Sequence, residues 1–456
     1  MVAGEISRTP PREHLLDYVD QALFLGLRAT GQSAAMQMLW VYDHPVDWDA
    51  LRRFHVEFGY GLAGRLIEPS VLPFGRHRWV AAQGPAEPLH IESEPRAREA
   101  VTDWADELAQ QPMDPEFGPG WRMAVLPLTD GSTAVTLVGS HCLGDGGAAL
   151  MSVFDAVHGN RRDLGYALPG SRGRRQALVS DGRQALRDAP QLARTVVDAV
   201  GFLRRRRRKS TGAPRVARPP VPVGADQPVT VPAVSALVPI DEWDHRAADL
   251  NGNGHSLLAG LAARLAVRQG RGLTADGRVA LIVPINDRSL EDTRANAVTL
   301  AHVQVDPLGV VADLSDTRAD IRDALKVMRE GTDDALRLLA LTPYIPKRAV
   351  RSTADLAFGF GEQPVSCSNV GDLPLEIACP DGTPAEHTVL RGIDQHITRG
   401  VLEQRHGLLT VVCGRLNGKV ALTVVGYQPG SINTKEHLRR RVSAALNDVG
   451  LDGILL

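Results

Sequence analysis

The stretch TGAPRVARPPVPVGADQPV, at residues 211–229, divides the chain. Proline lacks a backbone donor and glycine favours turns, so this composition sustains neither a helix nor a central strand. The runs on either side must each build their own secondary structure. A chain of 456 residues also exceeds what one ordinary core supports. The expected organisation is a first lobe at 1–209, a Pro/Gly-rich crossover at 210–232 and a second lobe at 233–456.

Both halves alternate strand and helix patterns. In the first, apolar residues at helical spacing run from His14 to Phe24. Met36–Val41 reads as a strand, Trp48–Phe58 as a helix with Asp47 or Asp49 at its cap, and Trp79–Ala82 as a short strand. Arg98–Gln110 reads as a helix. Trp121–Pro127 and Thr133–Gly139 are strands around Asp130-Gly131, a hairpin signal. A helix follows over Gly147–Val157, then a basic helix over Arg172–Lys209. In the second half, strands are predicted at Val234–Ile240, Val279–Ile285, Ala301–Val305, Pro364–Asn369, Gly407–Arg415 and Lys419–Tyr427. Helices are predicted at Asp241–Asp249, Leu257–Arg268 (with Ser256 as cap), Asp313–Arg329 and Lys435–Asn447. Two α/β halves of similar size imply a cleft between them.

Composition excludes several classes. The chain is 43% hydrophobic and 23% charged with a net charge of −2, which is globular and creates no global field for nucleic acid. No apolar run approaches the roughly 20 residues of a membrane span. The polar N-terminus lacks a secretory core. Four scattered cysteines without a C-x-x-C pair argue against a disulfide framework or a zinc site and fit a reducing cytoplasm. The 14 histidines include no H-E-x-x-H, so no metal site is expected.

Chemistry concentrates at His141-Cys-Leu-Gly-Asp145-Gly146, where a strand gives way to a helix. Imidazole titrates near neutral pH, so a histidine at the mouth of such a turn suits general base catalysis. Gly146 and Gly147 allow close approach, and their amides open a helix, where they can face a developing oxyanion. Cys142 beside the base is not read as a nucleophile.

This H-x-x-x-D-G element resembles the H-H-x-x-x-D-G motif of the chloramphenicol acetyltransferase-like, CoA-dependent acyltransferases. That superfamily includes nonribosomal peptide condensation domains and bacterial wax ester synthase/diacylglycerol acyltransferases. Further segments occur in the order of the wax ester synthase group. They are Leu16-Asp-Tyr-Val-Asp20-Gln-Ala-Leu-Phe24, Asn253–Ala263, Val283-Pro-Ile-Asn-Asp-Arg288, Asn296-Ala-Val298 and Ser368-Asn369-Val-Gly371. The resemblance implies an α/β, two-layer fold of two such lobes, a pseudo-dimer with the active-site tunnel between them. It implies His141 as general base, Asp145 as a structural carboxylate paired with Arg288, and Gly146 as an oxyanion amide. Ser140, Gly147, Asn286, Ser368 and Asn369 are expected to line the substrate site, with Thr299 a weaker candidate. Two positions depart from the family: Ser140 stands where the first motif histidine would be, and Gly371-Asp-Leu-Pro374 replaces P-G-P.

The implied reaction transfers an acyl group from a CoA or carrier-protein phosphopantetheine thioester to an alcohol, with no permanently bound cofactor. Two alternatives stay open. One is a stand-alone condensation-like enzyme joining an amine acceptor; the other is a scaffold that keeps the cleft without the chemistry. The resemblance also implies a monomer. The basic run Arg204–Lys209 reads as a solvated helix end, as a contact for acidic lipid at the inner membrane surface, or as a contact for a carrier protein or CoA phosphates.

Overall fold

The computed structural model describes residues 14–210, 224–289, 291–330, 338–345 and 363–456. Its strands are β1 (Ser33–Tyr42), β2 (Arg65–Glu68), β3 (Arg78–Ala81), β4 (His90–Ile91), β5 (Trp121–Pro127), β6 (Thr133–Ser140), β7 (Ala233–Pro239), β8 (Val279–Asn286), β9 (Val298–Val305), β10 (Val365–Asp372), β11 (His387–Gln395), β12 (Leu408–Leu416), β13 (Lys419–Tyr427) and β14 (Ile454–Leu455). Its helices are α1 (Tyr18–Thr30), α2 (Trp48–Phe58), α3 (Val101–Ala109), α4 (Gly146–His158), α5 (Arg174–Ser210), α6 (Ile240–Asp249), α7 (Gly254–Gln269), α8 (Ser315–Glu330), α9 (Arg399–Gln404) and α10 (Lys435–Asp448).

The first sheet has the order β11-β1-β6-β5-β4. Successive side chains of a strand point to opposite faces, and β1 uses both. Met38, Trp40 and Tyr42 pack with Phe54 and Phe58 of α2 and Val153 of α4. Leu39 and Val41 pack with Trp104 and Leu108 of α3. The second sheet, β14-β7-β13-β12-β10-β8-β9, is mixed, with β10 running parallel to both β12 and β8. One face of it carries the core around α7, which is buried nearly all round. Leu237 and Ala421 of its other face join the cluster that holds Leu39 and Trp104, so the two lobes share apolar surface.

The sequence patterns locate most elements but miss how the halves are joined. β11 belongs to the second half, yet it pairs along β1 from Ser33↔Gln395 to Val41↔His387 and forms the edge of the first sheet. The turn Leu375–Ala378 leads into this crossing, and the Ile377 carbonyl accepts from Trp40 Nε1 at 2.8 Å. No strand is predicted there because the buried positions include Arg391 and Gln395, which break the apolar alternation. Arg391 lies against Asp106 of α3, and the other oxygen of Asp106 meets Lys435 of α10 at 2.6 Å. Three segments of the chain therefore converge on one carboxylate.

Three further corrections concern boundaries and caps. The first helix begins at Tyr18, capped by Asp17, and Leu15 instead bridges to Arg78. Asn253 caps α7; Ser256 is the reciprocal partner in a capping box, its hydroxyl accepting from the Asn253 amide. The short strands β2 and β4 were too brief and too polar to show a period. Residues 211–223, most of the crossover, lie outside the described residues, and so do the side chains of Arg204–Lys209. Beyond them, the Val229 amide donates to the Ile397 carbonyl at 2.8 Å. Among the described residues no helix is long and apolar enough to cross a membrane.

Two predictions follow from burial. Asp106→Asn leaves the Arg391 guanidinium buried without its counter-charge, so urea unfolding should show a loss of about 3–5 kcal/mol. Burial also pulls His55 and His77 from the ordinary 6.5 down to about 4. Between those values the unfolded chain binds protons that the folded chain does not, so stability falls as pH drops from 6.5 towards 4. His77→Gln should flatten that slope in urea midpoints measured against pH; an unchanged slope removes His77 from the account.

Candidate functional site

β6 runs antiparallel between β1 and β5 and delivers its last residue, Ser140, into a loop that α4 closes. The loop must satisfy its own polar groups because it is buried. Its first amide, that of His141, donates to the Ala34 carbonyl at 3.0 Å. The His141 carbonyl accepts from Asn296 Nδ2 at 3.3 Å. The Leu143 carbonyl accepts from Nη2 and Nε of Arg65, at 2.7 and 3.2 Å. The Asp145 amide donates to the Ala295 carbonyl at 2.8 Å. The backbone around the histidine is thus fixed from both lobes. The ring itself is half-buried: among the described residues Nδ1 is buried without a hydrogen-bond partner, which leaves Nε2 as the nitrogen open to an incoming group.

Asp145 is the N-cap of α4. One oxygen accepts from the Ala148 amide at 2.8 Å. The other accepts from the Ala297 amide at 2.7 Å and from Arg288 Nη2 at 3.0 Å. Both side chains of this pair are almost wholly buried, at 4% and 2% exposure. Arg288 Nη1 and Nη2 also donate to carbonyls of its own loop, those of Asp292, Arg294 and Ala295, while its Nε is buried without a partner among the described residues. The carboxylate faces three donors, one of them at the start of α4, and among the described residues no acceptor is positioned to take a proton from it. Its geometry is that of a brace.

Of the four N–H groups that a helix start leaves open, those of Asp145 and Ala148 are spent in this way. The amides of Gly146 and Gly147 meet no acceptor among the described residues. A side chain at Gly147 would be crowded: its Cβ would stand 3.2 Å from Asn286 Nδ2 and 3.3 Å from Asp145 Oδ1, so these neighbours would have to shift by a few tenths of an ångström. Asn286 is exposed, and its Oδ1 accepts from the Arg288 amide at 2.9 Å, which turns its amide nitrogen towards Gly147. Ser140 is buried, and its hydroxyl accepts from the Cys142 amide at 3.3 Å, so it serves the turn. Burial pushes the Cys142 thiol up to about 12, which keeps it protonated and unreactive.

The second lobe contributes less directly. Ser368 and Asn369 lie on β10, which continues past a bulge to Asp372. Asn369 Oδ1 accepts from the Gly371 amide at 2.9 Å, a local turn bond. The next residue, Val370, reaches the motif, with a methyl 3.8 Å from where a Gly146 Cβ would be. Thr299 is half-buried on β9. A cavity of about 490 Å³ lies elsewhere in the first lobe, between His55, Leu89, Leu108 and Trp121, and no motif residue lines it. Among the described residues no group of three or more His, Cys, Asp or Glu side chains is arranged to hold a metal ion.

Two residues with a part in this site are missing from the sequence reading. Asp20 of α1 is fully buried and accepts from the Ala295 and Asn296 amides at 3.0 and 2.9 Å, and from Asn296 Nδ2 at 2.9 Å. Asn296 therefore joins Asp20 to the His141 carbonyl. Burial pushes the Asp20 carboxyl above its ordinary range, and these donors work against that rise. Arg65 is the other. It is fully buried, lies over the Trp79 ring at 4.1 Å, and holds the Leu143 carbonyl. Asp20 sits inside a segment that was recognised as a unit, but nothing in the sequence shows that its partner is a loop some 275 residues away.

Asp20→Asn keeps the size of the side chain but turns charge-assisted bonds into weaker ones, at about 1.5–3 kcal/mol each. The expected outcome is a loss of about 2–4 kcal/mol in urea unfolding and faster hydrogen exchange at Ala295, Asn296 and Ala297. Exchange at these amides equal to that of the wild-type chain would dissociate Asp20 from the site.

No protein-family model matches this sequence, and no curated protein matches it. Solved structures do resemble it. The first condensation domain of the CDA synthetase superposes with a TM-score of 0.53 at 14% identity, covering 97% of this chain and 99% of that one. The wax ester synthase/diacylglycerol acyltransferase from Marinobacter aquaeolei VT8 does so with a TM-score of 0.53 at 16% identity, covering 96% and 100%. The nonribosomal peptide synthetase FmoA3 matches with a TM-score of 0.52 at 17% identity over 97% of this chain, which spans only 44% of that larger protein. With two lobes, a mixed α/β architecture and matches along nearly its whole length, the chain has the condensation-domain fold that the wax ester synthase structure shares.

Proposed function

We propose that the chain is an acyltransferase that moves an acyl group from a CoA or carrier-protein thioester to an alcohol, with His141 as general base. The observation that carries this reading is the fixed backbone of His141, tied at its amide to β1 and at its carbonyl to Asn296, with Nε2 left open. A base held in that way needs little reorganisation when a substrate arrives. Nε2 takes the proton of the acceptor hydroxyl as its oxygen attacks the thioester carbonyl carbon. The carbon–sulfur bond then breaks, and the same proton passes from the imidazolium to the leaving thiolate. The amides of Gly146 and Gly147, at the positive end of α4, face the oxygen on which negative charge builds. Asp145 and Arg288 shape the loop and take no part in proton transfer. The passage for both substrates is the space between the lobes, bounded by Asn286, Ser368, Asn369 and Val370.

The likeness to condensation domains supports a second reading, in which the acceptor is an amine and the product an amide. The same base serves both, since each acceptor loses a proton as it attacks. Ser140 bears on this choice, because its hydroxyl is spent on the turn and adds no second imidazole beside the first.

The test is thiol release by the purified chain with a panel of acyl-CoAs, assayed separately with long-chain alcohols and with amines. Release that depends on one acceptor class identifies it. His141→Ala is expected to lower the rate about 10²–10⁴-fold at an unchanged melting temperature. A rate that survives this substitution removes His141 as the base, whereas no release with any donor and acceptor, with ligand binding unchanged by His141→Ala, points to a scaffold.

A further inference from the structure

We infer that α5 is a docking surface for an anionic lipid membrane, lying along it in the plane of the headgroups. This 37-residue helix is only partly used by the fold. Ala177, Asp181 and Thr195 are buried against the body of the protein. Asp181 also fixes the neighbouring loop, accepting from Ser70 Oγ at 2.6 Å and from the Val71 amide at 3.1 Å. The outward side is not the polar face expected of a surface helix. Leu178, Val179, Leu186, Val196 and Val197 are all at least half exposed, Leu186 reaching 77%. At about 100° per residue these five fall within one sector about 100° wide. They run for about 29 Å along the axis at about 1.5 Å per residue.

The surroundings of this stripe decide what covers it. Exposed Arg183 and Arg194 stand along one of its margins, and exposed Arg174 and Arg175 lie at its N-terminal end. The run Arg204–Lys209 continues the same helix. At the opposite margin, Ala185 and Leu192 adjoin Phe74 and Tyr344. These two rings stack 5.9 Å apart, with 43% and 50% of each residue exposed. Exposed Val71 belongs to the same loop as Phe74. An apolar strip flanked by aromatics and arginines suits a helix lying in the headgroup plane, the strip facing acyl carbon while both margins stay at the depth of the interface and its anionic phosphates. A second copy of the chain fits less well, because antiparallel pairing of two stripes would set arginine against arginine. A water-soluble acidic protein would satisfy the arginines and leave the long apolar strip without a counterpart.

The experiment uses the full chain and sedimentation with vesicles of phosphatidylcholine alone or mixed about two to one with phosphatidylglycerol. The chain should sediment with the mixed vesicles and only weakly with the neutral ones. Binding should fall as salt rises from about 0.1 to about 1 M, over which the screening length shrinks from about 10 to about 3 Å. The double variant Leu186→Asp/Val197→Asp should lower the partition coefficient at least tenfold or so on both vesicles. Arg183→Glu/Arg194→Glu should lower it about tenfold on the mixed vesicles only. Thermal unfolding of both variants, and their thiol release from a water-soluble acyl-CoA, should match the parent chain. Lipid docking is overturned by equal affinity for the two vesicle types, by no binding to either, or by variants that bind like the parent. It is also overturned if Leu186→Asp/Val197→Asp instead dissolves a dimer, or abolishes capture of an acyl carrier protein that the chain otherwise retains.

Discussion

Two buried carboxylates set the terms for the rest of this structure. Asp20 and Asp145 both come from the first lobe, and neither can stay ionised in the interior without several donors around it. Apart from the Ala148 amide on Asp145, those donors come from one short stretch of the second lobe. The amides of Ala295, Asn296 and Ala297, the side chain of Asn296 and the guanidinium of Arg288 supply them. The loop between β8 and β9 is therefore shaped from across the cleft, and in return it holds the backbone of His141. The placement of His141 is a property of the interface between the lobes. Neither lobe alone contains enough donors or acceptors to fix it.

The sequence shows the motif and its partners by residue type and leaves out much of the reason for their positions. A strand, a histidine, an aspartate three residues before the amide it caps, and a pair of glycines are all local features, and local features are legible. The helices at Trp48–Phe58 and Lys435–Asp448 are equally so, because their apolar faces repeat with the helical period. Arg65 is not legible. It lies in a short strand, looks like a surface charge, and is buried because it feeds two donors to one carbonyl of the motif loop. β11 is hidden for a related reason, since its buried positions include an arginine and a glutamine whose partners lie on or just after α3, some 285 residues away. Where polar groups are buried through long-range pairing, hydropathy patterns read the wrong face.

The organisation of the site also separates rigidity from chemistry. Asp145, Arg288, Asp20, Asn296 and Arg65 spend much of their hydrogen-bonding capacity on the backbone and on one another. Among the described residues, the groups of this region with unspent capacity include both ring nitrogens of His141, the two glycine amides, the Asn286 side-chain amide and Arg288 Nε. The Asn286 amide and Arg288 Nε converge on Gly147, at 3.2 and 3.5 Å from where its Cβ would be. Crowding on one side and unspent polarity on the other is how a preorganised site differs from a well-packed turn.

The return of β11 to the first sheet also bears on how the molecule is made. During synthesis the leading half emerges with β1 lacking a neighbour along its entire outer edge, and that edge stays open until residue 395 has left the ribosome. Domains usually acquire their structure in the order of translation, but here the earlier half waits for the later one. An unprotected, largely apolar margin is exposed in the meantime, so nascent chains truncated before this point are the species most in need of a chaperone.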